Sequence, residues 1–552
     1  MKRNSIKMML VGGILAVSIT SCKKNLILTP NDAVTQTQVF NNPTGITEAM
    51  AKVYGSFALT GNDGGSGAPD IQGIDEGTSD FFREYWDMQD LTTDEPVYTW
   101  NDPGIYDMQN DVWSATNVNV QGLYDRSLYQ ITLCNNFLQQ TTPALMSKYG
   151  ISGADLTTVN YYRAEARFLR AYQYWVLMDV YGNPPFVTEN TLIGSGYPPQ
   201  ISRANLYTYV VSELKAIDPL MVKPMQNQYG RADEAAVWAL LARVYLNAGV
   251  YTGTADYTDA ITYASKVINA GYNLVPDFTQ LFLADNHLCA GVPGGGSASQ
   301  DEFIFTINYS GVYTQGYGGL QYLTHGGVVG SMPTADFGVA GGYDELRAKP
   351  NVPNLFPTPP YTDGSNFPNN DNPDTRAEFW YPGQQLAVTS QPTESNGLGV
   401  TKFRNVTRTG APGNSTTYSD IALPIFRLPE MYLIYAEATL QGGAGGSMGT
   451  ALTYVNLIRT RAYGGSAAGN LIDPTQITLQ FILDERGREF FWEGFRRTDL
   501  IRINNLFTSS TYVWPFKGGV ATGTGIASYR NLMPIPESDL SANPNLKQNT
   551  GY

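Results

Sequence analysis

From Thr157 to Tyr181 the chain reads TTVNYYRAEARFLRAYQYWVLMDVY, and Ala164, Phe168, Ala171, Trp175 and Met178 recur at spacings of three and four. That period lines them along one face and predicts a helix, which Gly182-Asn183-Pro184-Pro185 ends. Residues 203–217 and 231–249 repeat the style, the second stopping at Gly249, and residues 255–270 follow at once and stop at Gly271. Further helices are predicted over 427–441, 447–463 and 476–503. The intervals 59–120 and 285–425 are rich instead in Gly, Pro, Asn, Asp, Thr and Tyr. They hold short strand-like runs such as Glu302 to Ile307 and turn signals such as the stretch PNNDNPD ending at Asp374. Ordered excursions of that length are usually functional and ride on a rigid scaffold.

The expected architecture is mainly α. A helical scaffold (41–58, 121–284, 426–504) carries two loop-rich excursions, 59–120 and 285–425. Because the flanking helices come from both halves of the chain, 41–552 reads as one domain with the excursions meeting on one face. The Ala- and Tyr-rich helix pairs have the look of tetratricopeptide-type hairpins.

The first residues set the expected compartment. Lys2, Arg3 and Lys7 precede an apolar run from Met8 to Ile19. That run is too short for a bilayer span of ~20 residues and has the flanks of a secretory signal. Ser18-Ile19-Thr20-Ser21-Cys22 has the pattern of a bacterial lipoprotein cleavage site, which makes 1–21 a signal peptide, Cys22 the acylated residue and 22–40 a tether. Several acyl chains on one cysteine hold stably, since each buried CH₂ contributes ~0.8 kcal/mol. Cleavage takes the formal charge from −14 to −17 by removing only bases, and so acidic a surface excludes nucleic acid as a partner. Cys134 and Cys289 make no disulfide framework. The only histidines, His287 and His325, sit in Gly-rich context and read as loop residues, which argues against a zinc site or a Ser-His-Asp triad. Asn370-Asp371-Asn372-Pro373-Asp374 fails the calcium-loop pattern, because Thr375 stands where Gly is needed, and it reads as a turn. No metal and no cofactor are expected.

At this point several segments, in order, resemble the SusD/RagB family of outer-membrane nutrient-binding lipoproteins. Phe40-Asn41-Asn42-Pro43 opens a helix ending in Val53-Tyr54-Gly55. RAEARFLRAYQYWVLMDVYGNPPFVTE (163–189) is similar to the family's most recognisable segment. Tyr245-Leu246, the stretch Arg427-Leu428-Pro429-Glu430 to Ala438, Asn456 to Ala462, Glu485 to Phe490, Glu493 to Leu500 and the ending MPIPESDLSANPNLKQNTGY complete the series. The resemblance implies a SusD-like fold with about four tetratricopeptide-like hairpins and no enzymatic activity. It also implies a place on the cell exterior, anchored through Cys22 and capping a TonB-dependent (SusC-like) transporter as a lid.

The charged helical positions, Arg427, Glu430, Glu437, Arg459, Arg461, Glu485, Arg488, Glu489, Glu493, Arg496 and Asp499, read as pairs that knit helices together. A ligand site is better sought in the excursions. Asp80, Arg83 and Trp86, then Tyr98, Trp100 and Asn101, set aromatics beside Arg, Asp and Asn; Tyr309, Tyr313, Tyr317 and Tyr322 follow in a Gly-rich run, with Trp380 beyond. A sugar ring offers an apolar face to an exposed aromatic and a hydroxyl rim to Arg, Asp and Asn. In the family a loop aromatic in this region contacts ligand, with an arginine upstream, so Trp100 is the first candidate and Arg83 the second. The expected ligand set is Asp80, Arg83, Trp86, Tyr98, Trp100, Asn101, Tyr317 and Tyr322. Glycan capture is the leading function; oligopeptide binding on the same scaffold and, further off, glycoside hydrolysis by a carboxylate pair are the alternatives.

Overall fold

The structure is a computed structural model that describes residues 35–61, 69–75, 77, 79–191, 194, 196–288, 302–358 and 372–552. The signal segment 1–21, Cys22, the tether as far as residue 34, Cys289 and residues 368–371 of the turn read at PNNDNPD lie outside the described residues.

Helix α1 (Pro43–Gly55) begins as its sequence directs: the Asn42 side chain accepts the Gly45 amide, and Pro43 takes the first helical position. In chain order there follow α2 (Phe81–Trp86), α3 (Val118–Gln140), α4 (Gly153–Val180), α5 (Arg203–Ile217) and α6 (Glu234–Leu246). Then come α7 (Tyr257–Ile268), α8 (Gln321–Gly326), α9 (Leu428–Leu440), α10 (Met448–Ala462), α11 (Leu479–Phe490) and α12 (Arg496–Arg502). Side by side, α3 packs on α4, α4 on α5, α5 on α6, α6 on α7, α7 on α9, and α9 on α10 and α11. This is the stacking of tetratricopeptide-like hairpins. The second excursion is inserted between α7 and α9, which still pack on each other across it.

The strands are short: β1 (Pro96–Tyr98), β2 (Phe303–Asn308), β3 (Leu346–Ala348), β4 (Phe379–Gln385), β5 (Gly397–Val400) and β6 (Ala422–Arg427). β2 pairs antiparallel with β6, while the other four form an antiparallel sheet in the order β1-β3-β5-β4. The sheet therefore joins the first excursion to the second. One large hydrophobic core runs from Phe40 through the helices to Leu546, and a small satellite gathers Val328, Val329, Met332, Phe337, Val339 and Trp380.

Three details depart from the sequence reading. The first excursion is not wholly irregular: FFREYW forms α2, and Asp87–Leu91 continues it as one π-helical turn, every residue buried. His325 is no loop residue but lies buried on α8. The helix expected over 476–503 breaks into α11 and α12, with Trp492 at φ 66° and Gly494 at φ 82°. Carboxylates from the first excursion make the break, since the Trp492 amide donates to Glu95 Oε2 (2.8 Å) and the Gly494 amide to Asp90 Oδ2 (2.8 Å).

Candidate functional site

The β1–β3 ladder decides where the first exposed aromatic goes. Tyr98 pairs with Leu346, and one residue on the Thr99 amide donates to the Glu345 carbonyl (2.8 Å) and the Thr99 hydroxyl to that of Asp344 (2.6 Å). The ladder ends there because Asp344 turns to φ 51°. Trp100 then meets Tyr343, with ring centroids 6.0 Å apart and planes at 35°. Tyr343 is fixed from behind by α8: its amide donates to the His325 carbonyl (3.0 Å), Gln321 Nε2 donates to its hydroxyl (3.0 Å), and the His325 ring stacks on it at 4.9 Å. Burial lowers the pKa of His325, so at neutral pH the stack is uncharged.

A second aromatic pair stands beside the first. Tyr317, on the loop after β2, and Tyr418, ahead of β6, lie 5.7 Å apart at 46°. The Ala340 amide donates to the Thr416 carbonyl (2.9 Å), which ties the Tyr418 loop to the segment carrying Tyr343. Trp100 and Tyr317 are 43% and 44% exposed, and Tyr343 and Tyr418 are half-buried. Each pair thus presents one exposed ring tilted against a half-buried partner.

Beneath it lies a buried polar base. The Arg83 guanidinium sits 4.1 Å over the Tyr322 ring, 3.9 Å from Glu345 and 3.5 Å from the Tyr98 hydroxyl. Burial disfavours its charge, yet Glu345, Tyr322, Asp87 and Tyr98 together outweigh that and hold Arg83 firmly protonated. The Tyr98 hydroxyl hydrogen-bonds Glu345 and Asp102 Oδ2 (2.7 Å), which pins the turn carrying Trp100 and Asn101. Tyr322 donates to Asp87 Oδ1 (3.1 Å) and meets the edge of Trp86 at 5.1 Å; Trp86 in turn meets Trp492. Burial pushes the Asp87 carboxyl up to about 7.

Of the eight expected ligand residues, Trp100, Asn101 and Tyr317 are at the surface. Arg83, Trp86, Tyr98 and Tyr322 are buried in the base under them, and Asp80 caps α2, its Oδ1 accepting from Tyr309 (2.9 Å). Tyr313 is 83% exposed on the same loop as Tyr317, while Tyr309 and Trp380 are buried. Sequence reasoning missed Tyr343 and Tyr418. The signal for Tyr343 was present in Gly-Gly-Tyr-Asp-Glu ahead of a strand, a turn that presents an aromatic; Tyr418 has no such mark.

The C-terminal half, residues 302–552, matches the SusD family, and residues 76–246 match a family described as starch-binding, associating with the outer membrane. The chain is 35% identical to the starch-binding protein SusD of Bacteroides thetaiotaomicron over 100% of both chains. It belongs to the SusD family. Solved structures share the fold at lower identity. A SusD-like carbohydrate-binding protein of Bacteroides fragilis superposes with TM-score 0.70 at 18% identity, over 92% of this chain and 100% of that one. Surface glycan-binding protein A of Bacteroides thetaiotaomicron, solved with laminarihexaose, gives 0.65 at 22% over 92% and 99%. In this SusD-family chain the C-terminal match takes in β2, α8–α12 and Tyr343, and the N-terminal match takes in α2–α6 and Trp100.

Proposed function

We propose that this chain is a cell-surface glycan-binding lipoprotein that captures an oligo- or polysaccharide on the Trp100 face and passes it to a TonB-dependent outer-membrane transporter without chemical change. The observation that carries the reading is exposed Trp100 against half-buried Tyr343, with exposed Tyr317 against half-buried Tyr418 nearby. Within each pair the rings are tilted, at 35° and 46°, and non-coplanar ring faces suit a helical α-glucan better than a flat chain. The full-length relative named as starch-binding supports the same sugar class. Binding without turnover is supported by the state of the acids around the face: Glu345 is engaged by Arg83 and Tyr98, Asp102 by Tyr98, Asp344 by the Gly330 amide and Asp420 by Gly311 and Asn414. Among the described residues no helix is long and apolar enough to cross a membrane, and attachment is assigned to acylated Cys22.

Gel retardation in amylopectin, pullulan, laminarin and galactomannan tests the ligand. The protein is expected to be slowed by the α-glucans, and Tyr343→Ala to run markedly faster than wild type in the same gel. Retardation by none of the four, or by galactomannan alone, contradicts the reading. Cys22→Ala is expected to move the protein from the membrane fraction to the soluble fraction; unchanged fractionation removes the anchor. A TonB-dependent barrel is expected to co-purify from detergent-solubilised outer membranes.

A further inference from the structure

Helix α1, β2 and the turn Gln228–Arg231 line a cavity of about 310 Å³. Its inner wall is apolar and buried, from Met50 on α1 and Phe57 just past its end to Phe305 on β2, and its rim carries exposed Thr47, Gln228 and Asn308. Ligand cavities begin at roughly 300 Å³, so this one admits a single ring with its substituents and not a polymer segment.

The lining also fixes the charge of an occupant. Arg231 is the one charged residue among the described lining, and it is already neutralised. Its guanidinium grips buried Glu165 with two hydrogen bonds, Nε to Oε2 at 3.0 Å and Nη2 to Oε1, and lies 4.7 Å over the Tyr162 ring. An anion finds no free cation there, and a cation meets a guanidinium. An apolar wall under a rim of amide and hydroxyl groups fits a neutral ring that bears hydroxyls, its C–H face against Phe305 and its hydroxyls toward Asn308, Gln228 and Thr47. A second chamber of about 290 Å³ shares Tyr229 and Asn308 with the first and reaches Asp420. Asp420 is two residues, or ~7 Å of extended chain, from Tyr418 of the second aromatic pair.

We infer that the α1–β2 cavity is a second carbohydrate site, taking one neutral pyranose unit independently of Trp100. The inference rests on the cavity's own lining and stands even if the Trp100 face binds something else.

Saturation-transfer NMR on the purified protein with methyl α-glucopyranoside, methyl β-glucopyranoside and methyl α-galactopyranoside provides the test. Ala51 lies exposed on α1 and lines the cavity, so Ala51→Trp fills it without deleting a core contact. At least one glycoside is expected to give a saturable signal that Trp100→Ala leaves in place and Ala51→Trp weakens tenfold or more at unchanged Tm. Should Ala51→Trp lower Tm, Asn308→Ala replaces it, with a severalfold loss expected. No signal from any of the three glycosides, a signal that survives the cavity variant, or a signal abolished by Trp100→Ala alone each overturns the inference.

Discussion

Asp80 shows how much one carboxyl depends on where the fold puts it. Its Oδ1 accepts the Phe82 amide (2.8 Å) and the Tyr309 hydroxyl (2.9 Å), whereas Oδ2 is buried without a hydrogen-bond partner. Burial pushes the group up to about 7, and those two hydrogen bonds and Arg126 only partly offset it. An unfolded aspartate titrates near ~3.9. The folded state therefore keeps a proton that the unfolded chain has released, and that stabilisation is complete below about pH 4 and lost as pH rises through about 7. Asp80→Asn cannot titrate. Its stability relative to wild type should rise between pH 5 and pH 8, by an amount of order 2 kcal/mol, in urea unfolding at the two values. A difference that stays constant with pH contradicts the assignment. Glu485 has the opposite sign: burial opposes its charge, but Arg376, Arg488 and Arg459 hold it down at about 2, so its contribution is present above the ordinary carboxylate range and lost as pH falls through about 2.

At the scale of elements, legibility followed locality. The helix over 203–217 was readable to the residue, because Ser202 caps it and Asp218-Pro219 follows its end within the same short stretch. The break between α11 and α12 was not, because the acids that make it, Glu95 and Asp90, lie 397 and 404 positions away from the amides they accept. Likewise α2 lies in a loop-rich interval and is too short to show a helical period, so it becomes helical inside a core assembled from other elements, and Tyr343 is presented only once β1 and β3 have paired. Trp100 was legible as an aromatic among polar residues in a loop; the buried base under it, from Arg83 to Tyr322, carries the same residue types and could not be told from it by sequence. The break is also mechanically exacting. A Cβ at Gly494 would stand 2.8 Å from Tyr85 Cε1 at a φ of 82°. Gly494→Ala should cost ~1–3 kcal/mol by denaturant unfolding, and a neutral variant would mean the turn is free to rearrange.

Across the whole molecule the charged helical motifs hold the scaffold to the excursions. They were expected to pair along helices and between them, and the described ion pairs are mostly between elements and buried. Arg427 reaches Glu302, Glu489 and Glu493; Arg461 reaches Glu302 and Glu489; Arg376 reaches Glu485 and Glu489. Arg496 bridges from α12 to Asp94 of the first excursion at 2.8 Å. Glu489 thus compensates three buried guanidiniums, which hold its carboxyl well below the usual range against the opposing effect of burial. Glu489→Gln leaves them short of charge and should cost ~3–5 kcal/mol; a loss under ~1 kcal/mol would show the network to be ornamental.

The same architecture gives the central claim its shape. A rigid helical array and a buried ionic seam hold two excursions together so that two aromatic pairs from distant segments each present an exposed ring, Trp100 and Tyr317. The most direct measurement is isothermal titration of the purified protein with maltoheptaose, alongside Trp100→Ala. Saturable binding that weakens at least tenfold in the variant, at unchanged Tm, is the result expected of capture on the Trp100 face. Full affinity in Trp100→Ala, or no heat from the wild-type protein with any glucan oligomer, would contradict it.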